Sequence, residues 1–207
     1  MQVTLIRHGK TAGNLSGRYV GRSDVPLCEE GIADAERCKT DPEKRTVFVS
    51  PLLRARMTAS ILFPNAAQRV IEDLKEMDFG AFEGRTAKEM EHDPVYRKWV
   101  DDLCEGACPG GESQAGFRKR VVAAFSEALK EADGDATFVV HGGVIMAVMA
   151  ELSEPKREFY AYQVQNLCGY SADVAWKNGA PALLNARPFT PAYTDGGTRL
   201  LFRKDMV

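Results

Sequence analysis

The chain has 207 residues, 44% of them hydrophobic and 27% charged, the balance of a globular protein rather than a disordered, collagenous or low-complexity one. Its 27 basic and 29 acidic residues leave a formal net charge of -2, without the basic excess that marks nucleic-acid or membrane-surface binders. No apolar run reaches the ~20 residues of a bilayer span, and the N-terminus lacks the cationic start and cleavage site of a secretory signal.

In chain order, residues 2 to 7 read as a buried strand that runs into a polar, Gly-rich stretch ending at Gly21. Pro26 to Gly31 open a helix carrying Ile32, Ala33, Ala35 and Cys38. Thr46 to Ser50 form a second buried strand, with Pro51 suited to the first turn of a helix running from Leu52 to about Leu62 and stopped by Pro64. A short strand around Arg69-Val70-Ile71 precedes an irregular stretch, Leu74 to Arg85. Residues 86 to 103 read as two short helices broken at Pro94, followed by the loop Gly106 to Gly111. Ser113 to Ala132 read as a long amphipathic helix with Phe117, Val121, Ala124, Phe125 and Leu129 on one face, capped by Ser113 or a neighbour.

Thr137 to Val140 are a third apolar strand, followed by His141, two glycines and a helix from about Val144 to Leu152 that is apolar on nearly all sides. Residues 169 to 176 and 182 to 187 alternate around Asn178-Gly179, a hairpin signal whose loop Ala180-Pro181 would lengthen. Strands alternating with helices predict a three-layer α/β/α fold with a mainly parallel sheet. The hairpin adds an antiparallel edge, and residues 74 to 112 form a helical insert over one end. Nothing in the pattern separates two cores, so one domain is expected across 1–207. Five cysteines, an odd count without a Cys-x-x-Cys pair, fit reduced thiols of a cytoplasmic protein. The Cys104–Cys108 pair lacks the further His or Cys residues that a zinc site would need.

In sheets of this kind, sites form beyond the carboxyl ends of the strands. Three strand ends carry polar groups there: Arg7-His8-Gly9, Ser50 with Arg54 just after it, and His141-Gly142-Gly143. Glycine after each histidine lets a backbone N–H approach a ligand closely. Arg7 and Arg54 offer planar, permanently charged forks that match a phosphate, and Arg54 also stands in the first turn of its helix, where anions are favoured. Arg56 reads as solvated.

The stretch Arg7 to Asn14 resembles the signature of the histidine phosphatase superfamily, the phosphoglycerate mutase-like proteins. The likeness continues in Gly21 to Leu27, Ser50 to Ala59, Leu74 to Gly84, Pro109 to Ser113 and His141 to Gly143, in family order over roughly residues 1 to 150. Lys10 departs from it, since many members carry Glu there. The resemblance implies that His8 is the nucleophile, Arg7, Arg54 and His141 the phosphate pocket, and Glu76 the proton donor, with Asp78 and Glu83 as competing acids that otherwise read as solvated loop. It also implies that Asn14, Gly21 and Gly142 line the substrate side.

Physical chemistry is compatible with those roles. A neutral imidazole is not repelled by a phosphate dianion, and two nearby guanidinium groups would keep the ring neutral by lowering its pKa. No two histidines stand at ligand spacing and no carboxylates cluster for a two-metal site, so neither metal nor cofactor is expected.

Within the family, Gly21 to Leu27 and Pro109 to Ser113 look most like bacterial alpha-ribazole phosphatases, which act on a nucleotide precursor of the cobalamin lower ligand; broad-specificity phosphatases share these blocks. A cofactor-dependent phosphoglycerate mutase is the alternative, disfavoured by the short insert from His92 to Cys108 with its acids Asp93, Asp101, Asp102 and Glu105. A catalytically idle binding module would be expected to lose one of the five core residues. The expected partner is a small phosphomonoester, neither nucleic acid nor membrane, with a homodimer left open.

Overall fold

The computed structural model describes residues 1–193 apart from Lys39 and Pro42. Among the described residues, seven strands form a single sheet: β1 (Gln2–Arg7), β2 (Thr46–Val49), β3 (Ala67–Val70), β4 (Ala136–Val140), β5 (Ser153–Glu154), β6 (Gly169–Lys177) and β7 (Ala180–Phe189). Their order is β3-β2-β4-β1-β6-β7-β5. The β3, β2, β4 and β1 strands are mutually parallel, β6 joins β1 antiparallel, and β7 returns antiparallel to β6. The mainly parallel α/β/α fold expected from the sequence is the observed one.

Among the described residues, six α-helices accompany the sheet: α1 (Ala12–Leu15), α2 (Glu29–Glu36), α3 (Leu53–Leu62), α4 (Pro94–Asp101), α5 (Gln114–Lys130) and α6 (Gly142–Leu152). The central strands are apolar at nearly every position because helices cover both faces. On β4, Phe138 and Val140 join a core with Phe117, Val121 and Phe125 of α5 and Val144 and Val148 of α6. Val139, between them, faces the opposite core, with Ile6, Val47, Val49, Ala55, Ala59 and Leu62. Period-two alternation thus divides one strand between two cores. At the centre of the first, Phe138 stacks on Phe48 with centroids 4.8 Å apart and meets Phe125 at the same distance.

Several local expectations are corrected. The stretch to Gly21 contains α1, a single turn held by a capping box between Thr11 and Asn14. Pro51 lies outside the first turn of α3, whose N-cap is Leu52. Pro94 does not interrupt two α-helices: a 3-10 turn at Lys88–Met90 precedes it, and Pro94 starts α4 with the Asp93 side chain capping Val95 and Tyr96. The hairpin loop is not lengthened, because Lys177 pairs directly with Ala180 and both Asn178 and Gly179 have positive φ, 51° and 80°. Those angles are what a two-residue turn matched to strand twist requires. Nor is the hairpin the sheet edge. The two-residue β5, too short to register in the sequence pattern, pairs with β7 outside it.

The five cysteines are free thiols. Among the described residues, no helix is long and apolar enough to cross a membrane. Because Phe138 is fully buried between two other rings, Phe138→Ala should cost about 3–5 kcal/mol in urea unfolding. A loss below about 1 kcal/mol would contradict this packing.

Candidate active site

Parallel pairing brings the two strand-end histidines together. Arg7 of β1 stands opposite Val140 of β4, so the following residues, His8 and His141, emerge side by side. Their ring centroids lie 5.1 Å apart at an interplanar angle of 63°. Ser50, one residue beyond β2, reaches the same place because Val49 pairs with Val139. His8, Ser50, Arg54 and His141 are all buried.

The orientation of His8 follows from one hydrogen bond. Its Nδ1 lies 2.7 Å from the Gly9 carbonyl, which can only accept, so Nδ1 carries the hydrogen. In the neutral ring Nε2 is then a lone pair, and it receives the Nε–H of Arg54 at 3.3 Å. Burial, followed by the charges of Arg54 and Arg7, holds the His8 pKa well below 6.5. The neighbouring backbone is pinned: Asn166 donates to the His8 carbonyl at 3.0 Å, and the Gly9 N–H donates to Thr58 Oγ1 at 2.9 Å.

His141 is neutral for the same reasons, burial first and Arg54 next. Its Nε2 is 2.6 Å from Ser50 Oγ, which also accepts from the Leu52 N–H at 3.4 Å. Where the serine hydroxyl is the donor to Nε2, Nδ1 carries the ring hydrogen. Nδ1 is buried and has no hydrogen-bond partner among the described residues.

Arg54, second residue of α3, spends its other donors on carbonyls: Nη1 to Ser23 at 2.8 Å and Nη2 to Gly21 at 2.8 Å. The loop supplying those carbonyls is held in turn by Glu83. Its carboxylate accepts from the Gly21 N–H (3.0 Å), the Arg22 N–H (2.8 Å), the Ser23 hydroxyl (2.7 Å) and the Phe79 N–H (3.3 Å). Arg7 donates to the Val164 carbonyl at 2.7 Å.

Glu76 comes from an irregular segment between 3-10 turns at Glu72–Leu74 and Gly80–Phe82. It is 8% exposed. Its two oxygens accept from the Met77 N–H and the Gly143 N–H, each at 2.9 Å. Burial raises its pKa above 4.5, against the lowering effect of those two bonds and of Arg54 and Arg7. A Cβ on Gly143 would stand 2.3 Å from Glu76 Oε1, so a side chain there would displace the carboxylate. Gly142 opens α6, and a Cβ on it would make only ordinary contact with Arg7, at 3.5 Å from Nε.

The structure thus gathers Arg7, His8, Arg54, Glu76, His141 and Gly142 around one point. Asn14 and Gly21 are adjacent but already employed. Asn14 Oδ1 accepts from Thr11 N–H at 3.1 Å and from Asn166 at 3.2 Å, while a Cβ on Gly21 would collide with the Met77 carbonyl at 1.9 Å. Lys10 turns away to ion-pair with Glu30 and Asp34. Arg56 is exposed, as expected. Glu83 is no solvated loop acid but the organiser of the Gly21–Ser23 loop, and Asp78 Oδ1 closes a local turn onto the Gly80 N–H at 2.9 Å. Sequence reading missed Asn166, Glu112 and Arg120. Of these only Glu112 carried a signal, its place in the Pro-Gly-Gly-Glu-Ser block. Among the described residues, no group of three or more His, Cys, Asp or Glu is arranged to hold a metal.

The family model of the histidine phosphatase superfamily, branch 1, matches residues 3–186. The chain belongs to that superfamily. The adenosylcobalamin/alpha-ribazole phosphatase of Salmonella typhimurium is 30% identical over 197 residues, covering 90% of this chain and 97% of its own length. The 2,3-bisphosphoglycerate-dependent phosphoglycerate mutase 2 of Gloeobacter violaceus is 34% identical over 165 residues, covering 72% and 74%. The solved structure of an Escherichia coli protein assigned as an alpha-ribazole-5'-P phosphatase superposes with a TM-score of 0.76 at 26% identity, covering 88% of this chain and 94% of that one. By this kinship the chain is a phosphatase.

Burial of two neutral histidines in this histidine phosphatase has a consequence for stability. Both have folded-state pKa values below the unfolded one, so below about pH 6.5 the unfolded chain binds protons that the folded chain refuses. Stability should fall with pH there, by up to ~1.4 kcal/mol per pH unit for each histidine. Glu76, raised instead of lowered, works in the opposite direction once pH approaches its own range. Calorimetry from about pH 7.5 to 5.5 should show this slope, and a His8→Gln/His141→Gln variant should lose most of it. An unchanged slope would mean that the two rings are not the groups refusing protons.

Proposed function

We propose that the chain hydrolyses a small phosphomonoester through a phosphohistidine on His8. The observation that carries this reading is the fixed tautomer of His8: Nδ1 tied to the Gly9 carbonyl and the Nε2 lone pair held against Arg54. Nε2 attacks phosphorus while the P–O bond to the alcohol breaks. As Nε2 turns its lone pair to phosphorus it gives up the Arg54 Nε–H, and that N–H, Arg7 and the Nδ1–H of His141 donate to the phosphoryl oxygens as charge gathers on them, the kind of preorganised stabilisation on which phosphoryl transfer depends. The buried, unpaired Nδ1 of His141 supports its part, because a buried donor calls for an acceptor.

The leaving alkoxide takes its proton from Glu76. Burial already raises that carboxyl's pKa, and an arriving phosphate dianion raises it further. In the second half, a water attacks phosphohistidine, gives its proton to the Glu76 carboxylate and releases phosphate from Nε2, which restores both groups.

For the substrate we favour alpha-ribazole phosphate. The phosphatase relatives of that name align over 90% of the chain, the mutases over 72%. The insert also suits a phosphatase: Asp93 is spent capping α4, and Asp102 holds Lys98 at 3.1 Å. That segment is poorly equipped to clamp a substrate carboxylate.

Acid-labile phosphate should accumulate on the wild-type protein quenched during turnover and be absent from His8→Ala, which should also lose all turnover. Retained turnover in His8→Ala would end the assignment. In a panel of phosphomonoesters assayed with EDTA present, alpha-ribazole phosphate should give the highest kcat/KM and free phosphate the main product. Interconversion of 2- and 3-phosphoglycerate outpacing phosphate release would favour the mutase instead.

A further inference from the structure

Among the described residues, no side chain hydrogen-bonds to the Glu76 carboxylate; its partners are two backbone N–H groups. Its position is therefore set by its own backbone and by the Gly143 N–H of α6. That backbone lies in no strand, so it lacks the ladder of hydrogen bonds that would fix it in a sheet. A side chain from α5 takes the place of the ladder. Arg120 donates from Nη1 to the carbonyls of Asp73 (2.7 Å) and Lys75 (3.0 Å), and from Nη2 to the carbonyl of Glu76 itself (3.0 Å).

The same guanidinium is locked from the other side. Glu112 takes Nε at 2.6 Å and Nη2 at 2.8 Å in a two-point pair, and its Oε2 also accepts the Asp78 N–H at 3.0 Å. Arg120 heads the pairing that holds the Glu112 carboxyl below its ordinary pKa against the raising effect of burial. The pair thus grips the segment both before and after Glu76. The carboxylate packs so close to Gly143 that even a methyl group there would displace it.

We infer that Arg120 and Glu112 are positioning residues for the proton transfer by Glu76. The inference rests on the reading of Glu76 as general acid. Arginine is required by geometry, because only a planar fork can serve three carbonyls and a carboxylate together. Lysine in its place keeps the charge and loses the fork. Misplacement of a reacting group by about 1 Å can cost 10²-fold in rate, and here the loss falls on substrates that need a proton.

The test follows acid-quenched phosphoenzyme formation in the pre-steady state for an alkyl phosphate and for para-nitrophenyl phosphate, whose leaving group needs little protonation. Arg120→Lys, checked for a native circular dichroism spectrum, should slow the alkyl ester by about tenfold or more and the nitrophenyl ester by less than about threefold. Glu112→Gln, a milder change if the first variant folds poorly, should shift the ratio in the same direction. The double variant Glu76→Gln/Arg120→Lys should be no more selective than Glu76→Gln alone, as expected of residues acting through one another. If Glu76→Gln discriminates between the esters but Arg120→Lys and Glu112→Gln slow both equally, the positioning role is overturned and the acid stands. If Glu76→Gln itself slows both equally, the reading of Glu76 falls and the inference falls with it.

Discussion

A guanidinium with no solvent exposure, set 3.3 Å from an imidazole nitrogen, is the constraint around which the rest is arranged. A buried charge costs several kcal/mol unless its donors are satisfied. Arg54 meets that demand with carbonyls of the Gly21–Ser23 loop, and the loop keeps its shape through Glu83. The charge in turn helps to keep both histidines neutral. Burial and the Arg54 charge together refuse a proton to His8, so the packing that shields the guanidinium also sets the state of the ring.

Three carboxylates separated by less than forty positions do different work because their surroundings differ. Glu83 faces four donors and serves as a fixed acceptor. Glu112 is pushed up by burial but faces a guanidinium, and the net effect is a lowered pKa. Glu76 accepts only two backbone N–H groups in a buried site, and its affinity for a proton goes up. Residue type does not separate them; desolvation and the number of donors do.

Local pattern carried much of the fold and part of the site. Buried strands followed by His and Gly were visible as runs, and parallel order put His8 and His141 on neighbouring strands. Arg54 was legible from its place in the first turn after a strand. What escaped was whatever depends on a partner distant in sequence. Arg120 reads as one more polar residue on an amphipathic helix until the segment around Glu76 packs across it. Asn166 lies in a stretch without periodicity and meets His8 only because β6 docks beside β1. The two-residue β5 fell below any periodic signal, and Pro181 masked the tight turn that the positive φ values of Asn178 and Gly179 create.

The pairing of β1 with β4 has a bearing on how the protein is made. Ribosomes deliver β1 first, yet its parallel neighbour and the second histidine appear only after α5 has been synthesised, and β6, on its other side, later still. Non-local pairings of this sort close slowly and late. Until then His8 lacks the neighbouring strands that bury it in the finished sheet. Chains that stop short of β4 therefore carry His8 without the second histidine and the site wall that β4 brings.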